Sequence, residues 1–141
     1  TPVLFYDPVH HAAGLAHAGW RGTAAGIVPA TVEAMRAHFG TTPDALWAGI
    51  GPAIGPEHYA VGAEVVTAIE RRLPDSAYVT RRRDGEVFLD LPGAVAAQLE
   101  GLGIGRIEPS QLHTAERTDE WYSHRAENGR TGRFGVLVQL A

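Results

Sequence analysis

Short apolar runs alternate with segments of helical spacing along this chain, and this alternation is the feature that most limits the folds open to it. Residues 3–6, 13–18 and 46–50 are apolar runs of strand length, and residues 87–89 and 134–140 predict two further strands. Strands that alternate with helices are typical of a mixed sheet covered by helices. We therefore expect an α/β protein of the α+β type, with one domain over residues 1–141.

Three segments have the apolar spacing of helices, and turn residues bound each of them. Residues 23–39 begin at Thr23, a candidate N-cap, and end before Gly40. Residues 63–73 end before Pro74-Asp75, and residues 92–102 start at Asp90 or Pro92 and stop at Gly103. Pro29 has no N–H and disfavours a helical residue before it, so we expect the regular helix to begin only near Pro29, after a looser turn.

Composition excludes several classes of function. The 141 residues are 45% hydrophobic and 20% charged, which is ordinary for a folded soluble protein. The net charge of −4 gives no electrostatic basis for binding nucleic acid or an anionic membrane. The run Arg81-Arg82-Arg83 precedes Asp84-Gly85 and is typical of a solvated hairpin turn. No apolar run approaches the roughly 20 residues that span a bilayer, so we expect a cytoplasmic protein.

A cluster at residues 17–23, His-Ala-Gly-Trp-Arg-Gly-Thr, is the strongest candidate for a site. His17 falls at the C-terminal end of a predicted strand, where ligands bind in α/β folds. Gly19 and Gly22 allow the backbone to approach a ligand, and a helix start at residues 23–25 beside Arg21 favours an anion. An alternative stays open, in which Trp20 anchors the core, Arg21 is a surface charge and the glycines form a tight turn.

The other histidines are weaker candidates. His58 and Tyr59 follow Gly51-Pro52-Ala53-Ile54-Gly55-Pro56, a segment that can be neither helix nor regular strand and therefore predicts a shaped loop. His113 and His124 lie in an irregular polar stretch, and their roles stay undecided. The chain contains no Gly-x-Ser-x-Gly, no phosphate-binding GxxxxGK[ST] and no His-Glu-x-x-His. Cysteine is absent, which excludes a disulfide or a Cys-based zinc site built from this chain alone.

Four ordered blocks resemble one known family over essentially the whole chain. They read HAGWRG, GPAIGPEHYAVGAEV, LDLPGAVAAQLEGLG and YSHRAENGRTGR. Together they resemble the multicopper polyphenol oxidase or laccase-domain family, whose members are viewed as zinc-dependent purine nucleoside phosphorylases with adenosine deaminase activity. The resemblance implies the laccase-domain, cysteine-hydrolase-like fold.

The resemblance also implies a zinc ion held by three protein ligands. They are a His in an upstream Gln-Val-His-Gly, a Cys in an Asp-Cys-Leu-Pro-Val-Leu segment, and the residue that corresponds to His17. Residues 1–5 match the segment just after that Cys, and the chain starts within a predicted strand and without Met. We therefore expect residues 1–141 to be the C-terminal portion of a larger single domain.

The implied activity is phosphorolysis of adenosine, inosine, guanosine or methylthioadenosine, together with zinc-dependent deamination of adenosine. His17 is the implied catalytic and metal-binding residue. The implied residues for the nucleoside or phosphate are Gly19, Trp20, Arg21, Gly22, Thr23, His58, Tyr59 and Arg133. Many relatives have Cys where this chain has Glu57-His58 and His113. Alternatives remain for the metal, which can be copper, and for the function, which can be that of a catalytically silent nucleotide- or partner-binding half-domain or of a polyphenol oxidase. A homodimer is a further expectation.

Overall fold

The computed structural model describes residues 1–73 and 80–141, and its main layer is a mixed sheet of four strands. The elements run, in chain order, β1 (Pro2–Asp7), β2 (Ala12–His17), α1 (Trp20–Ala25), α2 (Ile27–Phe39), β3 (Trp47–Ile50), α3 (Ala63–Arg72), β4 (Thr80–Arg83), β5 (Glu86–Leu89), α4 (Leu91–Gly101) and β6 (Arg106–Pro109). The strand order is β2-β1-β3-β6, with β1 antiparallel to both neighbours and β3 parallel to β6. The expected mixed sheet with helices is confirmed.

The main core lies on one face of this sheet, because alternate side chains of β1 point to opposite faces. Val3 and Phe5 are buried on the inner face, and Val3 lies opposite Ala16 of β2 and Ile50 of β3. Helices α2 and α4 cover this face with Val28, Val32, Met35, Val95 and Leu99. Burying a side chain such as Phe5 stabilises the fold by about 1.5–3 kcal/mol.

The helical segment predicted over residues 23–39 is two helices, and Thr23 is not an N-cap. Helix α1 begins at Trp20 with Gly19 as its N-cap, and Thr23 is fully buried inside it. Gly26 adopts a left-handed conformation with a φ of +84°, which ends α1 and starts α2. Pro29 falls in the first turn of α2, where its missing N–H breaks no helical bond. The expectation that a regular helix begins near Pro29 is therefore confirmed, whereas the looser turn expected before it is wrong, because that segment is the helix α1.

A smaller core lies between α3, β5 and the start of α4, and its buried members are Val65, Ile69, Leu89, Leu91 and Ala94. Strands β4 and β5 form the predicted hairpin, with Asp84 and Gly85 at positive φ values of 48° and 85°. Helix α4 has Asp90 as its N-cap, since Asp90 Oδ1 accepts a 2.8 Å hydrogen bond from the Gly93 N–H. The helix predicted over residues 63–73 is α3, which ends at Arg72 with Leu73 as its C-cap, and Pro74-Asp75 lies outside the described residues.

The strand predicted over residues 134–140 is wrong, because this segment has no strand partner in the described structure. It lies over the outer face of the sheet, where Val138 and Leu140 line a groove with Leu4, Tyr6 and Trp47. High strand propensity does not produce a strand unless a sheet edge offers hydrogen-bonding groups to it. The edge beside β3 is taken by β6, which has no counterpart among the predicted strands. None of the helices in the described residues is long and apolar enough to cross a membrane.

Candidate functional site

A cavity of about 620 Å³ brings His17 and Arg133 together, two of the residues that the sequence singled out. One part of its lining comes from Thr1, Pro2, the end of β2 at residues 15–17 and the loop at residues 52–54. The other part comes from Thr114 and the C-terminal segment, through Tyr122, His124, Gly132, Arg133, Phe134 and Val136. The volume lies within the range of about 300–1,000 Å³ that is typical of small-molecule sites.

Two glycines pack closely around His17. A Cβ atom on Gly19 would lie 3.4 Å from His17 Nε2, so the absence of a side chain there leaves room for the imidazole. A Cβ atom on Gly22 would lie 3.2 Å from the His17 carbonyl oxygen, so Gly22 allows α1 to start close to the end of β2. The two glycines that were expected to admit a ligand thus shape the surroundings of His17 itself.

The environment of His17 favours the neutral imidazole. Burial lowers the pKa of His17 below its ordinary value. A neutral imidazole has a free nitrogen lone pair, which is the form that binds a metal ion or accepts a proton. His17 therefore has the electronic state that a metal ligand needs at neutral pH.

His17 supplies a single donor to a metal site. Within residues 1–73 and 80–141, no group of three or more His, Cys, Asp or Glu side chains is arranged to hold a metal ion. Catalytic zinc usually has three protein ligands and one open position. The described residues therefore fit zinc only as part of a ligand set that other residues complete.

The amide groups around Thr23, which were expected to bind an anion, lie within α1 and not at its start. The Thr23 N–H donates a 2.8 Å hydrogen bond to the Gly19 carbonyl, so this amide is already used within α1. The Thr23 carbonyl also accepts a 2.8 Å bond from Gln98 Nε2, which ties α1 to α4. Thr23 is fully buried and does not line the cavity of His17.

Trp20, Arg21 and Tyr59 form a neighbouring cluster outside the lining of the cavity. Trp20 and Tyr59 pack against the smaller core, as the alternative interpretation of Trp20 predicted. The Arg21 guanidinium lies 4.5 Å from the centre of the Trp20 ring, and that of Arg125 lies 5.1 Å from the centre of the Tyr59 ring. Burial raises the pKa of Tyr59, although the charges of Arg125 and Arg21 oppose this shift.

His58 and His113 share the carboxylate of Glu116. Glu116 Oε1 lies 3.0 Å from His113 Nδ1 and 3.6 Å from His58 Nε2. A Cβ atom on Gly55 would lie 2.8 Å from the His113 ring, so the glycine leaves room for this pairing. The pairing joins two loops that also contribute to the cavity, and neither histidine lines the cavity itself.

The C-terminal part of the lining is held by hydrogen bonds within residues 123–131. Glu127 Oε2 accepts a 2.7 Å bond from the Ser123 N–H and a second bond from the Thr131 hydroxyl, and these two bonds hold the pKa of Glu127 below its ordinary value. A Cβ atom on Gly132 would lie 2.7 Å from the Tyr122 ring, so the glycine allows the ring to pack directly against the backbone. Tyr122 and Thr114 are lining residues that were not chosen from the sequence, although Tyr122 begins the block YSHRAENGRTGR.

Comparison with known proteins shows similarity to one protein family over the whole chain. A family model described as multi-copper polyphenol oxidoreductase laccase matches residues 1–141. A purine nucleoside phosphorylase from Deinococcus radiodurans is 38% identical over 139 residues, covering 99% of this chain and 53% of that protein. Purine nucleoside phosphorylase YlmD from Geobacillus stearothermophilus is 36% identical over 145 residues, covering 98% of this chain and 52% of that protein.

Solved structures agree with the fold. The crystal structure of YlmD from Geobacillus stearothermophilus matches with a TM-score of 0.87 and 36% identity, over 93% of this chain and 50% of that chain. The hypothetical protein YfiH from Bacillus licheniformis matches with a TM-score of 0.84 and 39% identity, over 93% of this chain and 51% of that chain. This chain therefore spans about half the length of the curated relatives that it matches.

Proposed function

This chain belongs to the multi-copper polyphenol oxidoreductase laccase family, as its sequence blocks predicted, and we propose that its cavity serves the phosphorolysis of purine nucleosides. The observation that carries this proposal is that His17 and Arg133, from opposite ends of the chain, line one cavity of about 620 Å³. Relatives that carry the name purine nucleoside phosphorylase support it. The proposed substrates are inorganic phosphate and adenosine, inosine, guanosine or methylthioadenosine.

The chemistry of phosphorolysis matches the residues of this cavity. A phosphate oxygen forms a bond to ribose C1′ while the bond from C1′ to the purine nitrogen breaks, and the proton of the hydrogen phosphate ends on the released base. The enzyme must therefore hold a dianion and a nucleoside next to each other. Arg133 supplies a permanent positive charge, and the apolar surfaces of Ile54, Phe134 and Val136 offer contact to a flat base.

His17 is proposed as a zinc ligand, with the remaining ligands supplied by the residues that precede this region in the longer relatives. When bound, zinc lowers the pKa of a coordinated water to about 7 and so supplies the nucleophile for deamination of adenosine. His17 contributes a neutral imidazole at the end of a paired strand, held beside Gly19. Copper would use the same nitrogen donor.

The other predicted residues are proposed to support this cavity without lining it. Gly22 and Thr23 fix α1 against β2 and α4, and Trp20 fixes α1 against the smaller core. His58 braces the loop at residues 52–54 through Glu116, while Arg21 and Tyr59 form the neighbouring cluster. We further propose that residues 1–141 are the C-terminal portion of a larger domain, and that the protein is cytoplasmic and forms a homodimer.

Replacing His17 tests the metal assignment and the function together. In the natural full-length protein, His17→Ala is expected to lower bound zinc from about one ion per chain to a small fraction, since losing one of three ligands costs orders of magnitude in affinity. Base release from inosine with phosphate, and conversion of adenosine to inosine, are measured beside the zinc content. His38→Ala, an exposed position at the end of α2, is the matched control and is expected to change neither.

Two results would contradict the proposal. Full zinc occupancy in His17→Ala would remove His17 from the ligand set. Oxidation of phenols by the full-length protein, without turnover of any purine nucleoside, would favour a copper polyphenol oxidase instead.

A further inference from the structure

We propose that Arg133 and His124 form the subsite that binds the phosphate dianion within this cavity. The inference rests on the proposed function and deepens it, because it assigns the second substrate to two side chains of the C-terminal segment. The sequence placed the anion first at Arg21 and residues 23–25, which do not line the cavity, and named Arg133 only as a residue for the nucleoside or the phosphate.

The charge of the lining favours an anion. The ionisable side chains along the cavity are those of His17, Tyr122, His124 and Arg133, and none of the lining residues is Asp or Glu. Arg133 is the permanently charged side chain of this lining, so the cavity carries positive charge within a chain whose net charge is −4. A basic concave surface with low-dielectric walls concentrates anions by focusing the electric field.

Arg133 has no competing partner in the part of the chain that the structure describes. Other arginines there are engaged: Arg117 bonds Glu120 at 2.6 and 2.7 Å, and Arg36 bonds Glu33 at 2.7 and 2.8 Å. Neither Arg133 nor His124 makes a side-chain hydrogen bond or ion pair with a described residue. A free guanidinium offers two parallel N–H donors, a geometry that matches two oxygens of a phosphate.

Backbone contacts fix the main chain at both residues before a ligand arrives. The Gly129 N–H donates a 2.7 Å hydrogen bond to the His124 carbonyl, and Gly129 has a φ of +77°. A Cβ atom on Gly129 would lie 3.4 Å from His124 Nε2, so the glycine leaves space beside the imidazole. Gly132 packs against the Tyr122 ring and so fixes the chain next to Arg133. A main chain that is already ordered loses less conformational entropy on binding.

A phosphate dianion could come from free inorganic phosphate or from the monoester of a nucleotide. The same cavity must hold the nucleoside beside His17, and phosphorolysis needs free phosphate with an oxygen available to attack C1′. We therefore assign inorganic phosphate to Arg133 and His124.

The test is a direct titration of inorganic phosphate into the natural full-length protein by calorimetry, without nucleoside. Arg133→Ala is expected to weaken phosphate binding about tenfold or more, since a hydrogen bond to a charged group is worth that much. Arg133→Lys keeps the charge without the paired donors and is expected to recover part of the affinity, and His124→Gln to give a smaller loss. Arg130→Ala, an exposed arginine in the same segment, is the matched control and is expected to bind phosphate unchanged.

Kinetics separate this inference from the proposed function. The apparent KM for phosphate in base release from inosine is expected to rise in Arg133→Ala far more than the KM for inosine. If no nucleoside is turned over, the proposed function fails, while a loss of phosphate binding in the titration still supports the subsite. Unchanged phosphate affinity in both Arg133→Ala and His124→Gln would overturn the inference. Weaker binding of inosine 5′-monophosphate, with unchanged binding of inorganic phosphate, would overturn it as well.

Discussion

At the scale of single residues, the carboxylate of Asp7 closes the turn between β1 and β2. Asp7 is fully buried and accepts hydrogen bonds from the N–H groups of Val9 at 2.8 Å and His10 at 3.1 Å, and from the Thr41 hydroxyl at 2.6 Å. The His10 ring nitrogen Nδ1 lies 2.7 Å from Oδ2. Burial alone would raise the pKa of Asp7, but these hydrogen bonds, led by that of Thr41, hold it at about 2.

Replacing Asp7 should make the fold less stable and less dependent on acid. The pKa of Asp7 is lower in the folded state than its ordinary value of 3.8, so its stabilising contribution is present above pH 4 and is lost as the pH falls from about 4 to 2. A shift of this size corresponds to about 2 kcal/mol. Asp7→Asn is therefore expected to lower the free energy of unfolding at pH 7 by about that amount.

Denaturant unfolding at pH 7, 4 and 3 measures this effect. Asp44→Asn, at an exposed position, is the control and is expected to unfold like the unchanged protein. An equal decrease in stability between pH 4 and 3 for Asp7→Asn and the unchanged protein would show that another group carries the acid dependence.

At the scale of elements, the break between α1 and α2 sets the direction in which α1 leaves the site. Gly26 makes this break because its φ of +84° is in the left-handed region, and a Cβ atom there would also collide with the Arg72 guanidinium. The six-residue α1 is too short to be stable alone and depends on its contacts with α3 and α4. The position of the break at Gly26 therefore affects the stability of the short helix α1 more than that of the 13-residue helix α2.

Substitution of Gly26 should test this role. Gly26→Ala is expected to lower the free energy of unfolding by about 1 kcal/mol or more, because Ala is strained at a positive φ. Gly101→Ala is the matched control, since Gly101 is the last residue of α4, has no positive φ and would place its Cβ in open space. The control is expected to be neutral or slightly stabilised. Equal stability of both variants in chemical denaturation would argue against a required break at Gly26.

Sequence reasoning found the elements that have a strong local signal and missed those that depend on neighbours. β1 and β2 are apolar runs, and the end of β2 at His17 follows from them. β6 contains a single large apolar residue, Ile107, and becomes a strand because β3 offers it an edge. No residue pattern around Gly26 indicates that this glycine, unlike others within a helical pattern, adopts a positive φ and ends a helix. His124 could not be chosen over His113 because the folding of residues 121–134 decides which histidine lines the cavity.

At the scale of the whole molecule, the cavity lies between the strands of the main sheet and the C-terminal segment at residues 110–141. Its His17 side rests on a strand paired to β1, whereas its Arg133 side belongs to residues 110–141, which contain no regular helix or strand. Turns, the Glu127 hydrogen bonds and the edge-to-face contact of Trp121 with Phe134 hold this segment, the two ring centres lying 5.1 Å apart. Segments of this kind open more easily than a paired sheet.

Amide hydrogen exchange rates should therefore differ between the main sheet and the C-terminal segment. Amides of β1 and β3 are expected to exchange more slowly than those of residues 122–136, because the sheet amides are paired and lie over the main core. Addition of phosphate with inosine is expected to slow exchange in residues 122–136 and to leave β3 unchanged. Mass spectrometry of peptic fragments gives both comparisons, and protection by the ligands that is confined to β3 would contradict the position of the cavity.

The two-part lining also bears on the order in which this protein gains its site during synthesis. The pairings of β1 with β2 and β3 join residues between 2 and 50, so they can form while the ribosome is still adding the residues that follow. Arg133 follows His17 by more than 100 positions, and a contact of that separation closes late because a long loop must be ordered first. A nascent chain would thus pair β1 with β2 and β3 before Arg133 has been synthesised, and the binding site would form after this pairing.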